Sequence, residues 1–155
     1  MTREETFHEI CTRLGVKIPP VPQPVGVYQP VIVAGGFAFL SGQISKNSEG
    51  QIIRGKLGEK VSLEEGKRAA QCALLQALSL IQSLIRLERV ERVVRLVGYV
   101  QSSPGFYEQS DVMNAASEIL VEVFGEPGRH ARTSIGAASL PLNAAVEIEM
   151  TLKLQ

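Results

Sequence analysis

The chain has 155 residues, with 16 Lys plus Arg balancing 16 Asp plus Glu and 45% hydrophobic residues. That length fits one domain with a substantial core, and a formal charge of zero gives no electrostatic footprint for nucleic acid or for an anionic membrane surface. Two cysteines, Cys11 and Cys72, are too few for a disulfide framework, and the only histidines, His8 and His130, make no metal-ligand set. No apolar run approaches the ~20 residues of a membrane span. The start, Met1 to Thr6, has no apolar signal region and is too acidic for a transit peptide, so a cytoplasmic location is expected.

Residues 2–14 predict a short amphipathic helix. Thr2 caps it, Glu4 and Glu5 sit in the first turn, and Phe7, Ile10, Cys11 and Leu14 form the apolar stripe before Gly15. Pro19 to Pro24 can be neither helix nor central strand and reads as an extended connector. The main domain is expected over 25–155, with residues 1–24 as a helix and connector ahead of it. Two β-runs follow, Val25–Ala34 and Phe37–Leu40, around a Gly35-Gly36 turn, and Ile52-Ile53 predicts a further short strand or edge. Ser62-Leu63-Glu64-Glu65 is a capping box that opens a long packing helix reaching Ile85, with Cys72 buried on its apolar face. Val90 to Gln101 is a β-branched central strand, and Phe106 to Phe124 a second helix stopped by Gly125 and Pro127. The order β-β-β-α-β-α-β-β predicts an α+β layer, a mixed sheet with two helices packed on one face.

From Arg129 to Leu152, two apolar-rich runs flank Leu140-Pro141-Leu142-Asn143, which reads as a β-hairpin. In the second run Val146, Ile148, Met150, Leu152 and Leu154 point one way and Glu147, Glu149, Thr151 and Lys153 the other. In the first, Arg132 and Ser134 share a face. If the two strands pair, Arg132 and Glu147 come close on one face. A guanidinium that grips a carboxylate through two parallel hydrogen bonds would then stand beside a carboxylate able to orient or deprotonate water. A solubilising charge pair on an exposed sheet face satisfies the same pattern. Tyr28 likewise reads as a half-buried strand aromatic or a phenol at a pocket wall. Ser41-Gly42 reads as a strand-ending turn or a small step that exposes backbone donors, and Asn114 as a helix residue bonded to a loop.

His130-Ala131-Arg132-Thr133-Ser134-Ile135-Gly136, then Leu140-Pro141, then Val146-Glu147-Ile148-Glu149 resemble the C-terminal signature of the Rid family, the YjgF-like reactive-intermediate imine deaminases, also called endoribonuclease L-PSP. Gly26-Val27-Tyr28-Gln29 is similar to that family's Gly-Pro-Tyr-x-Gln segment with Val27 in place of proline. Ser41-Gly42-Gln43-Ile44 matches another of its runs, and Asn114 matches a helix asparagine. The likeness covers residues 25–155. It implies a chorismate-mutase-like fold, a homotrimer with sheets facing its centre and clefts between subunits, and hydrolysis of 2-imino or enamine acids to 2-oxo acids and ammonia with no metal or cofactor.

By the same resemblance Arg132 binds the substrate carboxylate with help from the Ser134 N–H, Glu147 orients the water, and Tyr28 fixes the imine end. Ser41, Gly42 and Asn114 then line the cleft. Ser134 stands where many of these deaminases carry Cys. The substrate side chain would be set by Val27, Phe37 and residues of a neighbouring subunit. A deaminase predicts faster ammonia release from an imine generated in situ, abolished in Arg132→Ala. A non-catalytic binder of small carboxylates predicts ligand-dependent thermal stabilisation without turnover. An endoribonuclease predicts salt-sensitive RNA binding, against which the zero net charge counts.

Overall fold

Two capping boxes start the helices that the sequence marks most clearly. In the computed structural model, which describes residues 1–21, 23 and 26–155, Thr2 caps α1 (Arg3–Arg13) and Ser62 caps α2 (Leu63–Leu84). In each, the glutamate three residues on, Glu5 or Glu65, returns a hydrogen bond to the cap's own N–H, so two otherwise orphaned donors are satisfied. Phe7, Ile10 and Cys11 of α1 enter the same hydrophobic core as α2 and the sheet, and Gly15 ends the helix at φ 68°. The third helix, α3, spans Gln109–Phe124 and starts later than Phe106. Phe106 closes a turn onto the Ser103 carbonyl, and the Gln109 side chain folds back onto the Phe106 carbonyl at 2.9 Å.

Five strands form one sheet in the order β1-β2-β5-β3-β4: β1 Val31–Ala34, β2 Phe37–Ile44, β3 Val90–Gln101, β4 Ala131–Ala137 and β5 Val146–Leu154. Only β3 and β4 pair in parallel, and α3 connects them; the other pairs are antiparallel. Since β2 and β3 both run antiparallel to β5, they are parallel to each other and α2 crosses between them. Parallel strands need such crossovers. Here both crossover helices lie on one face, the α+β layer expected. The core fills the space between, where Leu40, Leu96, Ile148 and Leu152 meet the buried small residues Ala69, Ala70, Ala73 and Ala77 of α2.

Three strand expectations change. The first run becomes β1 only at Val31; residues 26–28 bend, Pro30 has no N–H for a ladder, and Val25 lies outside the described residues. Ile52 and Arg54 make single bridges, to Lys46 and Ala144, in place of a strand. Most consequential, β4 and β5 do not form a hairpin, because β3 lies between them. Their connection, residues 138–145, exceeds the roughly two to five residues of a hairpin loop. It passes over the end of β3, where Gln101, 1% exposed, accepts the Leu140 N–H at 2.7 Å and donates to Asn143 Oδ1 at 2.8 Å. With every second residue buried, β5 takes a central place, while the half-exposed β4 takes the edge.

Gly98, mid-strand on β3, lies directly beneath the Met113 side chain of α3, with no room for a Cβ. Gly98→Val is expected to lower stability by about 1–3 kcal/mol through overpacking, read by chemical denaturation. Adding Met113→Ala should recover part of that loss, the coupling being measured in a double-mutant cycle.

Candidate functional site

The site starts from an irregularity in β2. Between the pairs Leu40↔Met150 and Gln43↔Ile148, the two residues Ser41 and Gly42 oppose the single Glu149 of β5. Such a bulge bends its strand and re-aims neighbouring side chains. Past it, Ile44 pairs with Glu147, whose side chain lies against Gly42 so closely that a methyl group there would collide with the carboxylate. A cavity of about 530 Å³ opens at this point, walled by Tyr28, Gly42, Ile44, Ile52, Leu142 and Glu147 among others. Burial first, and then the nearby Glu149, push the Glu147 carboxyl above its ordinary 4.5. Glu149 itself accepts a 2.6 Å hydrogen bond from the Tyr99 hydroxyl, which holds that phenol above its ordinary range.

Ser41 anchors the segment that carries Tyr28. Its hydroxyl donates to the Gln29 carbonyl at 2.6 Å and its N–H to the Pro30 carbonyl at 2.9 Å. Val27 and Phe37, expected to shape specificity, do not line the cavity. The bend at 26–28 turns Val27 fully outward, and Phe37 pairs with Lys153 at the far end of β5. Lys46 and Gln76, which carried no motif in the sequence, stand on the wall in their place.

Arg132 is elsewhere. On β4 it registers with Leu96, fully buried beneath the helices, so it rises on the helical side of the sheet. Glu147 registers with Tyr99 on the opposite face. Two strand spacings, about 10 Å, and a register offset also separate them. The hairpin convergence of Arg132 and Glu147 is therefore corrected: within one chain the two point away from each other. The Arg132 guanidinium lies on α3, Nη1 donating to Asn114 Oδ1 at 2.9 Å and Ser117 Oγ at 3.1 Å. Nη2 donates to Ser110 Oγ at 2.8 Å and, more weakly, to the Ser110 carbonyl at 3.4 Å. All four terminal N–H bonds are thus directed at α3. Ser110, Asn114 and Ser117 follow i, i+4, i+7 on one helix face, a spacing that could have pointed to the two serines in the sequence.

His130 completes this cluster. Its Nδ1 is 2.6 Å from the Gly128 carbonyl, which can only accept, so Nδ1 carries the proton and Nε2 accepts from Ser117 Oγ at 2.9 Å. Burial, reinforced by the Arg132 charge, pulls its pKa below 6.5, so the ring is neutral near pH 7. Ser134, two residues from Arg132 on the same face, is the only buried side-chain polar atom without a hydrogen-bond partner among the described residues. The chain thus gathers Tyr28, Gly42 and Glu147 at one cavity, with Ser41 behind them. Arg132, Asn114 and Ser134 gather on the other face.

A small α+β domain with a cavity that carries the Glu147 carboxylate, of a size that holds a small molecule, is the class that fold and site define. The chain belongs to the family described as "YjgF/chorismate_mutase-like, putative endoribonuclease", which it matches over residues 10–153. It is 43% identical to the protein TCP17 of Trypanosoma cruzi over 92% of this chain and 90% of that one. It is 26% identical to a 2-iminobutanoate/2-iminopropanoate deaminase of Dermatophagoides farinae, over 90% and 95% of the two chains. The crystal structure of Atu1372 from Agrobacterium tumefaciens, a protein of unknown function, superposes with a TM-score of 0.88 at 33% identity, covering 99% of this chain and 96% of that one.

Because the folded state raises the Glu147 pKa, ionising this carboxyl costs stability. That penalty is absent below about 4.5 and grows as pH rises through the folded value. Glu147→Gln should therefore be more thermally stable than the wild type near pH 7, the difference vanishing toward pH 4. Thermal unfolding across that pH range checks it.

Proposed function

We propose that the chain is a deaminase that hydrolyses 2-imino or enamine acids to 2-oxo acids and ammonia, at a site completed by a second copy of the chain. One observation carries this reading: a half-buried Glu147 carboxyl, made more basic than usual, faces a small-molecule cavity beside Tyr28. The relative that is a 2-iminobutanoate/2-iminopropanoate deaminase supports it.

In the proposed reaction Glu147 accepts a proton from water as the water oxygen bonds to the carbon of the protonated imine. The C=N pair moves to nitrogen and a carbinolamine forms. The carboxyl returns that proton to nitrogen, then takes the hydroxyl proton as the C–N bond breaks, and ammonia leaves with it as ammonium. A general base so placed contributes roughly 10²–10⁴-fold. Tyr28 and Gly42 shape the wall, and Ser41 keeps the Tyr28 segment in place.

The substrate carboxylate is assigned to Arg132 of a neighbouring copy, with Asn114 and Ser134 beside it. The sheet face away from the helices carries Ile32, Phe39 and Ile135, each about half exposed, as a surface that a second copy would cover. A carboxylate reaches Arg132 by displacing oxygens of α3, and charge-assisted bidentate bonds replace weaker neutral ones. A second reading, a non-catalytic carboxylate binder, draws on that same saturation of Arg132 by α3.

Ammonia release from an imine generated in situ by an amino-acid oxidase separates the two. Wild type should accelerate it, with an acidic limb above pH 4.5, and Glu147→Gln should lose about 100-fold or more. Arg132→Ala should be similarly inactive. Co-expressing the two inactive variants should restore part of the activity, since some interfaces then pair an intact Arg132 with an intact Glu147. No recovery in mixed assemblies contradicts a shared site. Stabilisation by a 2-oxo acid without any turnover establishes the binder.

A further inference from the structure

We propose that Lys46, on the wall of this cavity, binds a second acidic group, so that the ligand is an imino or oxo acid with a carboxylate on its side chain; this deepens the function proposed above and rests on it. Lys46 lines the same cavity as Glu147. Among the described residues its ammonium makes no ion pair and no hydrogen bond, with Glu147 or with any other group. Two opposite charges on one small cavity that do not neutralise each other leave each to a guest. In this reading water and the imine meet Glu147, and an anion suits Lys46.

Lys46 is also held in a built position. Its N–H donates to the Ile44 carbonyl at 2.8 Å, and it bridges to Ile52. Its carbonyl accepts from the side-chain nitrogen of Gln76 at 3.0 Å. Gln76 comes from α2, is 3% exposed, and lines the cavity. A buried side-chain amide from the helix thus fixes the backbone of Lys46 at the cavity wall. The apolar part of the lining includes Ile44, Ile52, Pro141 and Leu142. A volume of about 530 Å³ exceeds what an imino acid with a one- or two-carbon side chain fills. It accommodates a chain of several atoms ending in a charge.

The test compares two imines of equal carbon count generated in situ, one from glutamate and one from norvaline, on wild type, Lys46→Met and Lys46→Arg. Binding of the stable products 2-oxopentanedioate and 2-oxopentanoate is measured in parallel by calorimetry. Wild type should favour the acid-ended substrate by about tenfold or more in kcat/KM, the scale of one charge-assisted contact. Lys46→Met should remove that preference through KM and leave the norvaline-derived substrate unchanged, while Lys46→Arg keeps it. Should neither imine be turned over, the deaminase reading fails alone. Tighter binding of 2-oxopentanedioate, lost in Lys46→Met, then still upholds the acid site. Equal handling of the two ligands by wild type, or equal loss of both in Lys46→Met, overturns it.

Discussion

The last strand of the chain is inserted between β2 and β3, and the positions of Glu147 and Arg132 follow from that placement. Val146, Ile148 and Leu152 are fully buried under the helices. Since side chains alternate across a strand, Glu147 and Glu149 have no choice but the other face. A carboxylate on the central strand of a sheet loses much of its water. Burial is accordingly the leading cause of the raised Glu147 pKa, with Glu149 as a lesser one. The bulge at Ser41-Gly42 lets this carboxylate lie flat against the neighbouring backbone, and only the absence of a Cβ at Gly42 allows that approach.

The same insertion sends Arg132 away. With β5 on one side of β3 and β4 on the other, the guanidinium ends on the helical side among Ser110, Asn114 and Ser117. The neutral His130 orders this group from behind by accepting the Ser117 hydroxyl proton, which leaves the Ser117 oxygen free to face Arg132. An arginine so fully bonded staples α3 to the edge of the sheet. Arg132 and Glu147 thus stand on opposite faces of one sheet.

The family match spans residues 10–153, so fold and family stand on nearly the whole chain. Activity stands on fewer residues. The T. cruzi relative at 43% identity carries a name without a reaction, and the D. farinae deaminase is more distant at 26%. The cavity walls distinguish this chain from what its motifs alone imply. Val27 and Phe37 lie away from the cavity, whereas Lys46 and Gln76, which belong to no motif, line it. A loop residue and a buried helix residue meet there only because α2 packs over the chain that follows β2.

Much of the local structure was legible in the sequence. The capping residues Thr2 and Ser62, the bounds of β3, the two faces of β5, and the shared face of Arg132 and Ser134 are all set by neighbours within a few positions, where hydrogen-bond geometry and side-chain period act directly. Sequence alone thus determined the helix caps, the extent of β3, and which way the residues of β4 and β5 point relative to their own neighbours. Only the tertiary structure decided which strands lie side by side, and hence that Arg132 and Glu147 part while Lys46 and Glu147 share a cavity. Strand partners are chosen by burying the most apolar surface over the whole chain. That choice placed the evenly alternating β5 at the centre and left β4 at the edge, and no local pattern encodes it.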